Sequence, residues 1–189
     1  MKKAIVLWNK EKNNRYSISD KPMEGFVFFV QENIDSNVKI SVYLEGLEDG
    51  EYGFHIHEKG LEDCDDFENV KDCCDSLGGH FNVGVKWSPL EPRGTKHGDH
   101  TGDLCFNIIF EDGVCNFNFV DEKISLYQEK ENCVTGKSLV IHQDRDDMGL
   151  VRYGEEDFKK NINRFITGNA GERIACGQIL KYPSDKIEN

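Results

Sequence analysis

Val38, Ile40, Val42 and Leu44 alternate strictly with Lys39, Ser41, Tyr43 and Glu45. Successive side chains on a strand point to opposite faces, so this segment is a strand with one buried and one wetted face. Leu104, Phe106, Ile108 and Phe110 repeat the pattern, and Phe117 and Phe119 continue it between Asn116 and Asn118. Less regular apolar runs of strand length lie at 4–8, 25–30, 53–57, 139–142 and 174–180, with Glu48-Asp49-Gly50, Glu111-Asp112-Gly113 and Thr135-Gly136 as turns. Roughly eight short strands separated by turns predict an all-β, antiparallel sandwich or barrel. Two stretches, 60–99 and 144–171, break the spacing, and loops of that length are usually functional. In the second, Phe158, Ile162, Phe165 and Ile166 follow a helical period behind Glu155-Glu156-Asp157, which predicts a short helix. Leu61, Cys64 and Phe67 give a weaker helical hint in the first. No repeat or linker interrupts residues 1–189, so a single domain is expected.

With 23 basic and 35 acidic side chains the formal charge is −12, which argues against nucleic acid or an anionic membrane as a partner. Mean hydropathy is −0.60, and no run approaches the ~20 apolar residues of a membrane helix. Residues 4–8 are too short for a signal-peptide core and run into Asn9-Lys10-Glu11-Lys12, so a soluble cytoplasmic protein is expected. Seven cysteines is an odd number, which leaves at least one thiol free, and in a reducing compartment thiols are the default.

The six histidines carry the functional signal. His55 and His57 sit two apart on the strand-like Gly53–His57 run, so their imidazoles share a face and can meet one metal. His142 ends the apolar run 138–142. His80 stands in Gly78-Gly79-His80-Phe81-Asn82, where glycines permit close approach of backbone and ligand. His97-Gly98-Asp99-His100-Thr101-Gly102-Asp103 places two imidazoles and a carboxylate in one tight loop. A lone histidine is usually a surface or satisfied core residue, and one H-x-H occurs by chance. All six lying at strand ends or in glycine-rich loops points to a metal site. Imidazole suits Zn, Cu, Fe and Ni, and three imidazoles with a carboxylate suit Zn.

Gly53-Phe54-His55-Ile56-His57-Glu58 resembles the copper signature of copper/zinc superoxide dismutases. Gly79–Asn82 resembles the family's bridging-histidine segment, and His100-Thr101-Gly102-Asp103-Leu104 its zinc segment. Ser138–Gly149 resembles the stretch with the last copper ligand, and Thr167–Gly177 the C-terminal signature, all in family order. The resemblance spans essentially the whole chain. It implies an eight-stranded Greek-key barrel that dismutates superoxide to dioxygen and hydrogen peroxide. It implies copper on His55, His57, His80 and His142, and zinc on His80, His97, His100 and Asp103, with His80 bridging. In that scheme Asp146 links a copper histidine to a zinc histidine. Arg173 docks the anion in the channel, Thr167 lines the opposite wall, and His80 carries a proton toward peroxide. Cys74 and Cys176 form the family's disulfide, leaving Cys64, Cys73, Cys105, Cys115 and Cys133 as thiols. A homodimer and a copper chaperone as partner are also implied.

The chain departs from the family in three places. The 57–74 segment is lengthened through 61–73, next to the family's dimer interface. Lys59 stands there for an apolar aromatic, and Gln178 and Lys181 make the last strand less apolar. His97 and His100 are only three apart, the short form of extracellular members, behind a loop rebuilt with Trp87, Pro89 and Pro92. The 147–167 loop is expanded, and Ile166 replaces the family's lysine, leaving Lys159, Lys160 or Arg164 to guide the substrate. The competing readings are a copper carrier on this fold, with adjacent Cys73-Cys74 as a copper(I) site, and an inactive decoy. The decoy would tolerate loss of ligands or of Arg173, and this chain keeps them all.

Overall fold

Alternation along the strands sorts side chains into an inner and an outer face, and two sheets bury their inner faces against each other. The computed structural model describes residues 1–9, 16–64, 68–86, 95–148 and 167–183. Among them are β1 (Lys2–Trp8), β2 (Ser17–Ser19), β3 (Glu24–Gln31), β4 (Val38–Glu45) and β5 (Gly50–His57). A 3-10 turn (Leu61–Asp63) and helix α1 (Val70–Asp75) follow, then β6 (Asp103–Phe110), β7 (Val114–Asp121), β8 (Ser138–His142), β9 (Arg173–Gln178) and β10 (Leu180–Lys181). One antiparallel sheet runs β10-β1-β3-β4-β7 and the other β2-β9-β8-β5-β6. Val38, Ile40, Val42 and Leu44 are all buried in the shared core with Phe54, Ile56, Ile108 and Leu139. Phe117 and Phe119, on the outermost strand of the first sheet, are half-buried and stack with ring centroids 5.5 Å apart.

Two of the ten strands escape the sequence pattern. β2 has three residues, too few to show a period. The apolar run 174–180 divides at Ile179, where the chain leaves one sheet and joins the other as β10. Ile179 is fully buried at that corner, its N–H donating to the Lys137 carbonyl, so apolarity continues across the break.

The predicted helix over 158–166 lies outside the described residues. In the first long loop the helical hint begins as a 3-10 turn that ends in extended backbone at Cys64, and Phe67 lies outside the described residues. The α-helix forms later, at Val70–Asp75, where the Asn69 side chain accepts the Asp72 N–H. Its adjacent Cys73 and Cys74 point about 100° apart and so reach different partners. Cys74 joins Cys176, as the family resemblance implied. Cys73 joins Cys64, with Cα atoms 5.1 Å apart, which corrects the expectation that both remain thiols. The fold-back from the 3-10 turn to α1 makes that pair, and no strand period announces it. All four cysteines sit with Ile18, Leu61, Leu77 and Val140 in an apolar cluster under the loop. Cys105, Cys115 and Cys133 are free, and burial pushes the first two thiols up to about 12 and about 11.

The Cys74–Cys176 bond spans 102 residues, and restricting so long a loop in the unfolded chain is worth about 4.7 kcal/mol. Cys176→Ser is therefore expected to lower the unfolding free energy of the metal-free protein by about 2–5 kcal/mol in urea. Cys64→Ser should cost about half as much, because its loop is short. Equal losses would contradict the loop-closure account.

Candidate metal centre

The site lies where the second sheet meets the two long loops. β5 carries His55 and His57, β8 ends at His142, and β9 begins with Arg173 directly opposite it. Register shifts between Phe54 and His55 and between Ile141 and His142 mark the places where the ladders open toward the site. Beyond the first shift β5 keeps β8 on one edge and meets loops on the other. The Phe81 N–H donates to the Ile56 carbonyl, the Ile56 N–H to Gly102, and the Gly102 N–H to Phe81, at 2.7, 2.9 and 2.7 Å. This ring of three backbone bonds ties the segments bearing His80, His100 and Asp103 to the strand bearing His55 and His57. Gly102 is obligatory there, since a Cβ would stand 2.3 Å from the Ile56 carbonyl oxygen.

All six histidines, Asp103 and Asp146 are buried. Their outer nitrogens are taken. His55 Nε2 donates to Asp146 Oδ2 at 2.6 Å, and His97 Nε2 donates to the same carboxylate at 2.8 Å. His57 Nδ1 donates to the Gly78 carbonyl (2.9 Å), His100 Nε2 to Thr95 (3.1 Å) and His142 Nδ1 to Gly171 (3.3 Å). A carboxylate or carbonyl oxygen only accepts, so each of these rings carries its proton on the outer atom and leaves the inner nitrogen bare. His55 Nδ1 and His80 Nε2 are buried with no hydrogen-bond partner, whereas His100 Nδ1 and His97 Nδ1 are buried facing Asp103 Oδ2 at 3.1 and 3.4 Å. His57 Nε2 and His142 Nε2 face each other at 3.3 Å, two lone pairs with no proton between them.

Lone pairs that converge in a buried space are placed to hold a cation. They form two groups, each with its ligand atoms within 4.8 Å of one another: His55, His57, His80 and His142, and His80, His97, His100 and Asp103. His80 belongs to both, offering Nε2 to the first and Nδ1, 2.7 Å from Asp103 Oδ1, to the second. The first group is all nitrogen, and the second is three nitrogens with a carboxylate, the donor set that suits zinc. A third grouping, His55, His97 and Asp146, uses the protonated outer nitrogens and is a hydrogen-bonded brace between the two.

The electrostatics follow from burial. Desolvation, then the charges of His80 and Arg173, hold His57 far below the ordinary imidazole value, and burial with His55 and His80 does the same to His142. His80 is pushed down to about 3, first by burial and then by His55. His97 goes the other way: burial opposes its charge, but the Asp146 hydrogen bond and the Asp103 charge outweigh it. Burial raises Asp103 and Asp146, yet their histidine partners hold both well below the usual carboxylate range.

Arg173 is half-buried and donates from Nη1 to the Cys74 carbonyl (2.6 Å) and from Nη2 to the Gly78 carbonyl (2.7 Å). The Gly78 oxygen also accepts the His57 Nδ1–H, so arginine and imidazole share one anchor. Thr167 is half-buried at the end of the second loop. Trp87, Pro89, Pro92, Lys159, Lys160, Arg164 and Ile166 lie outside the described residues. Two supporting residues escaped the sequence reading. Asn107 on β6 bonds the Asp146 backbone twice, Nδ2 to its carbonyl (3.0 Å) and Oδ1 from its N–H (2.7 Å). An asparagine inside an otherwise apolar, aromatic strand was the available signal. Gly168 has φ +68°, and a Cβ there would meet Asp146 Oδ1 at 1.9 Å.

Comparison with known proteins matches this arrangement. The family described as copper/zinc superoxide dismutase matches residues 23–179. The Xenopus laevis superoxide dismutase [Cu-Zn] A is 37% identical over 163 residues, covering 83% of this chain and 89% of that protein. The extracellular superoxide dismutase [Cu-Zn] of Drosophila melanogaster is 35% identical over 158 residues, covering 83% and 75%. A crystal structure of the clock protein EA4 superposes with TM-score 0.67 at 29% identity, over 96% of this chain and 94% of that one. Fold and site thus define a β-barrel with a two-cluster histidine centre. The chain belongs to the copper/zinc superoxide dismutase family, which implies copper and zinc as its metals.

Two outcomes test the centre. In the metal-free protein, His57, His80 and His142 stay neutral below pH 6.5, where the unfolded chain binds protons, so stability falls as the pH drops below that value. His97 contributes the opposite sign, stabilising below 6.5 and losing that as pH rises through its raised value, but it is one group against three. The urea midpoint of metal-free protein is therefore expected to be lower at pH 5.5 than at pH 7.5, and a rise would contradict the assignment. Asp146→Ala, which frees two ring orientations at once, should weaken metal binding about 10–100-fold in chelator competition.

Proposed function

We propose that this protein dismutates superoxide, two superoxide anions and two protons giving one dioxygen and one hydrogen peroxide. The observation that carries the reading is His80, shared between an all-nitrogen cluster and a zinc-type cluster. Copper held in the first cluster would supply a one-electron couple for the two half-reactions, and zinc in the second would add no redox chemistry. The chain's own residues do the rest. His55, His57, His80 and His142 hold the first metal, and His80, His97, His100 and Asp103 the second. Asp146 fixes the tautomers of His55 and His97 together, so neither ring can turn its protonated edge inward. His80 Nε2, when not engaged by metal, holds the proton that goes to the reduced oxygen.

Arg173 binds and orients the anion. Its charge is permanent, it is anchored at two carbonyls, and it stands opposite His142 on the neighbouring strand. A chain of net charge −12 repels superoxide at a distance, so attraction must come from this local field. Thr167 is read as the opposite wall of the channel.

A homodimer and a copper chaperone are part of the same reading. Of the three polar departures near the expected interface, Lys59 and Lys181 are exposed, whereas Gln178 is buried with Nε2 donating to the Gly136 carbonyl. The copper-carrier alternative loses its cysteine pair, because Cys73 and Cys74 are both in disulfides.

The test is superoxide consumption by protein loaded with one copper and one zinc per chain, with His142→Ala as control. Fast consumption abolished in the control is expected, and inactivity despite verified copper would favour the decoy reading. Arg173→Ala, fully metallated, should slow the reaction about 10-fold or more and weaken anion inhibition. Unchanged kinetics would remove its docking role.

A further inference from the structure

The loop after β7 places a lysine against the second cluster from outside. The Lys123 main chain is locked on both sides. Its N–H donates to Asp121 Oδ1 at 2.7 Å, the next N–H, of Ile124, donates to the same oxygen at 3.1 Å, and its carbonyl accepts Asn132 Nδ2 at 2.7 Å. Asp121 and Ile124 are themselves buried. The half-buried side chain donates from Nζ to the His100 carbonyl (3.0 Å) and to the Asp103 carbonyl.

Those two carbonyls flank one turn. The Asp103 N–H closes it onto the His100 carbonyl at 3.1 Å. Inside the turn, Asp103 Oδ2 accepts the Gly98 and His100 N–H groups at 2.7 and 3.2 Å. One face of the turn thus presents His100 Nδ1 and the Asp103 carboxylate to the cluster, and the lysine gathers the outer carbonyls. A solvated surface lysine loses side-chain entropy for little gain. Here a fixed backbone aims a charged donor at two backbone acceptors, the stronger kind of hydrogen bond.

We propose that Lys123 is a positioning residue for the second metal: by clamping the His100 and Asp103 carbonyls it sets the angle at which this pair meets the ion. The inference rests on the metal-centre reading above. Its charge alone would repel a divalent cation, so the two effects of removing it have opposite signs. Loss of the clamp lowers affinity, and loss of the charge raises it.

The experiment compares full-length wild type, K123R, K123Q and K123M, disulfides intact and copper in the first cluster. Zinc affinity is read by chelator competition, and site geometry by the visible bands of cobalt(II) in place of zinc. K123M is expected to bind zinc about 10–100-fold more weakly, with altered cobalt bands and unchanged copper absorption. K123R should restore affinity and bands, and K123Q, which keeps a donor, should fall between. Should K123M fail to fold, K123Q and K123R decide. Wild-type zinc affinity and cobalt bands in K123Q or K123M overturn the proposal, as does tighter binding or an equal loss of copper and zinc that K123R does not rescue. Wild-type protein that takes up no cobalt at the second cluster overturns the metal-centre reading with it, whereas uptake unaffected by the substitutions overturns only the role of Lys123.

Discussion

Bare imidazole nitrogens facing one another in a buried site are the constraint around which this structure is arranged. His57 Nε2 and His142 Nε2 stand 3.3 Å apart with no proton available to either, because each ring has already given its proton to a carbonyl. Such a meeting of lone pairs is unfavourable in the folded chain, and a cation between them would relieve it, which would couple metal binding to folding. The surroundings oppose relaxation of the cluster. Two disulfides hold the first loop, a ring of three backbone hydrogen bonds joins three ligand-bearing segments, and Asp146 braces His55 to His97.

The brace shows how support is layered. Asp146 can serve two histidines because Asn107 fixes its backbone from β6 and because Gly168 leaves room that a Cβ would occupy. The Gly78 carbonyl works in the same way, as common acceptor for His57 and Arg173. His57 and Arg173 therefore share one backbone atom, delivered by a loop that the Cys74–Cys176 bond pins to β9. Arg173 is thus a cation fixed at two carbonyls in a chain of net charge −12, so the field beside it differs from what the net charge alone would give.

Much of this was legible in the chain. The alternation at 38–44 and 104–110 corresponds to strands that bury Val38, Ile40, Val42 and Leu44, and Leu104, Ile108 and Phe110, and the histidine placements and family blocks pointed to the residues that the fold brings together. Less legible were features without a period. The three-residue β2, the sheet switch at Ile179 and the position of α1 depend on contacts remote in sequence. The Cys64–Cys73 bond escaped for the same reason, since pairing among adjacent cysteines depends on how a loop folds back.

Amino-acid order alone determined the strand faces, the inventory of six imidazoles and the glycines that let segments crowd together, because periodicity and residue chemistry are local properties. Tertiary structure alone decided which nitrogen of each histidine is bare, which carbonyls hold Arg173 and which thiols are joined. Most of those outcomes depend on partners remote in sequence, such as Gly78, 21 residues from His57, and Cys74, 99 residues from Arg173, while His100 finds Thr95 only five residues away. Only the packed fold sets the distances at which such partners can act.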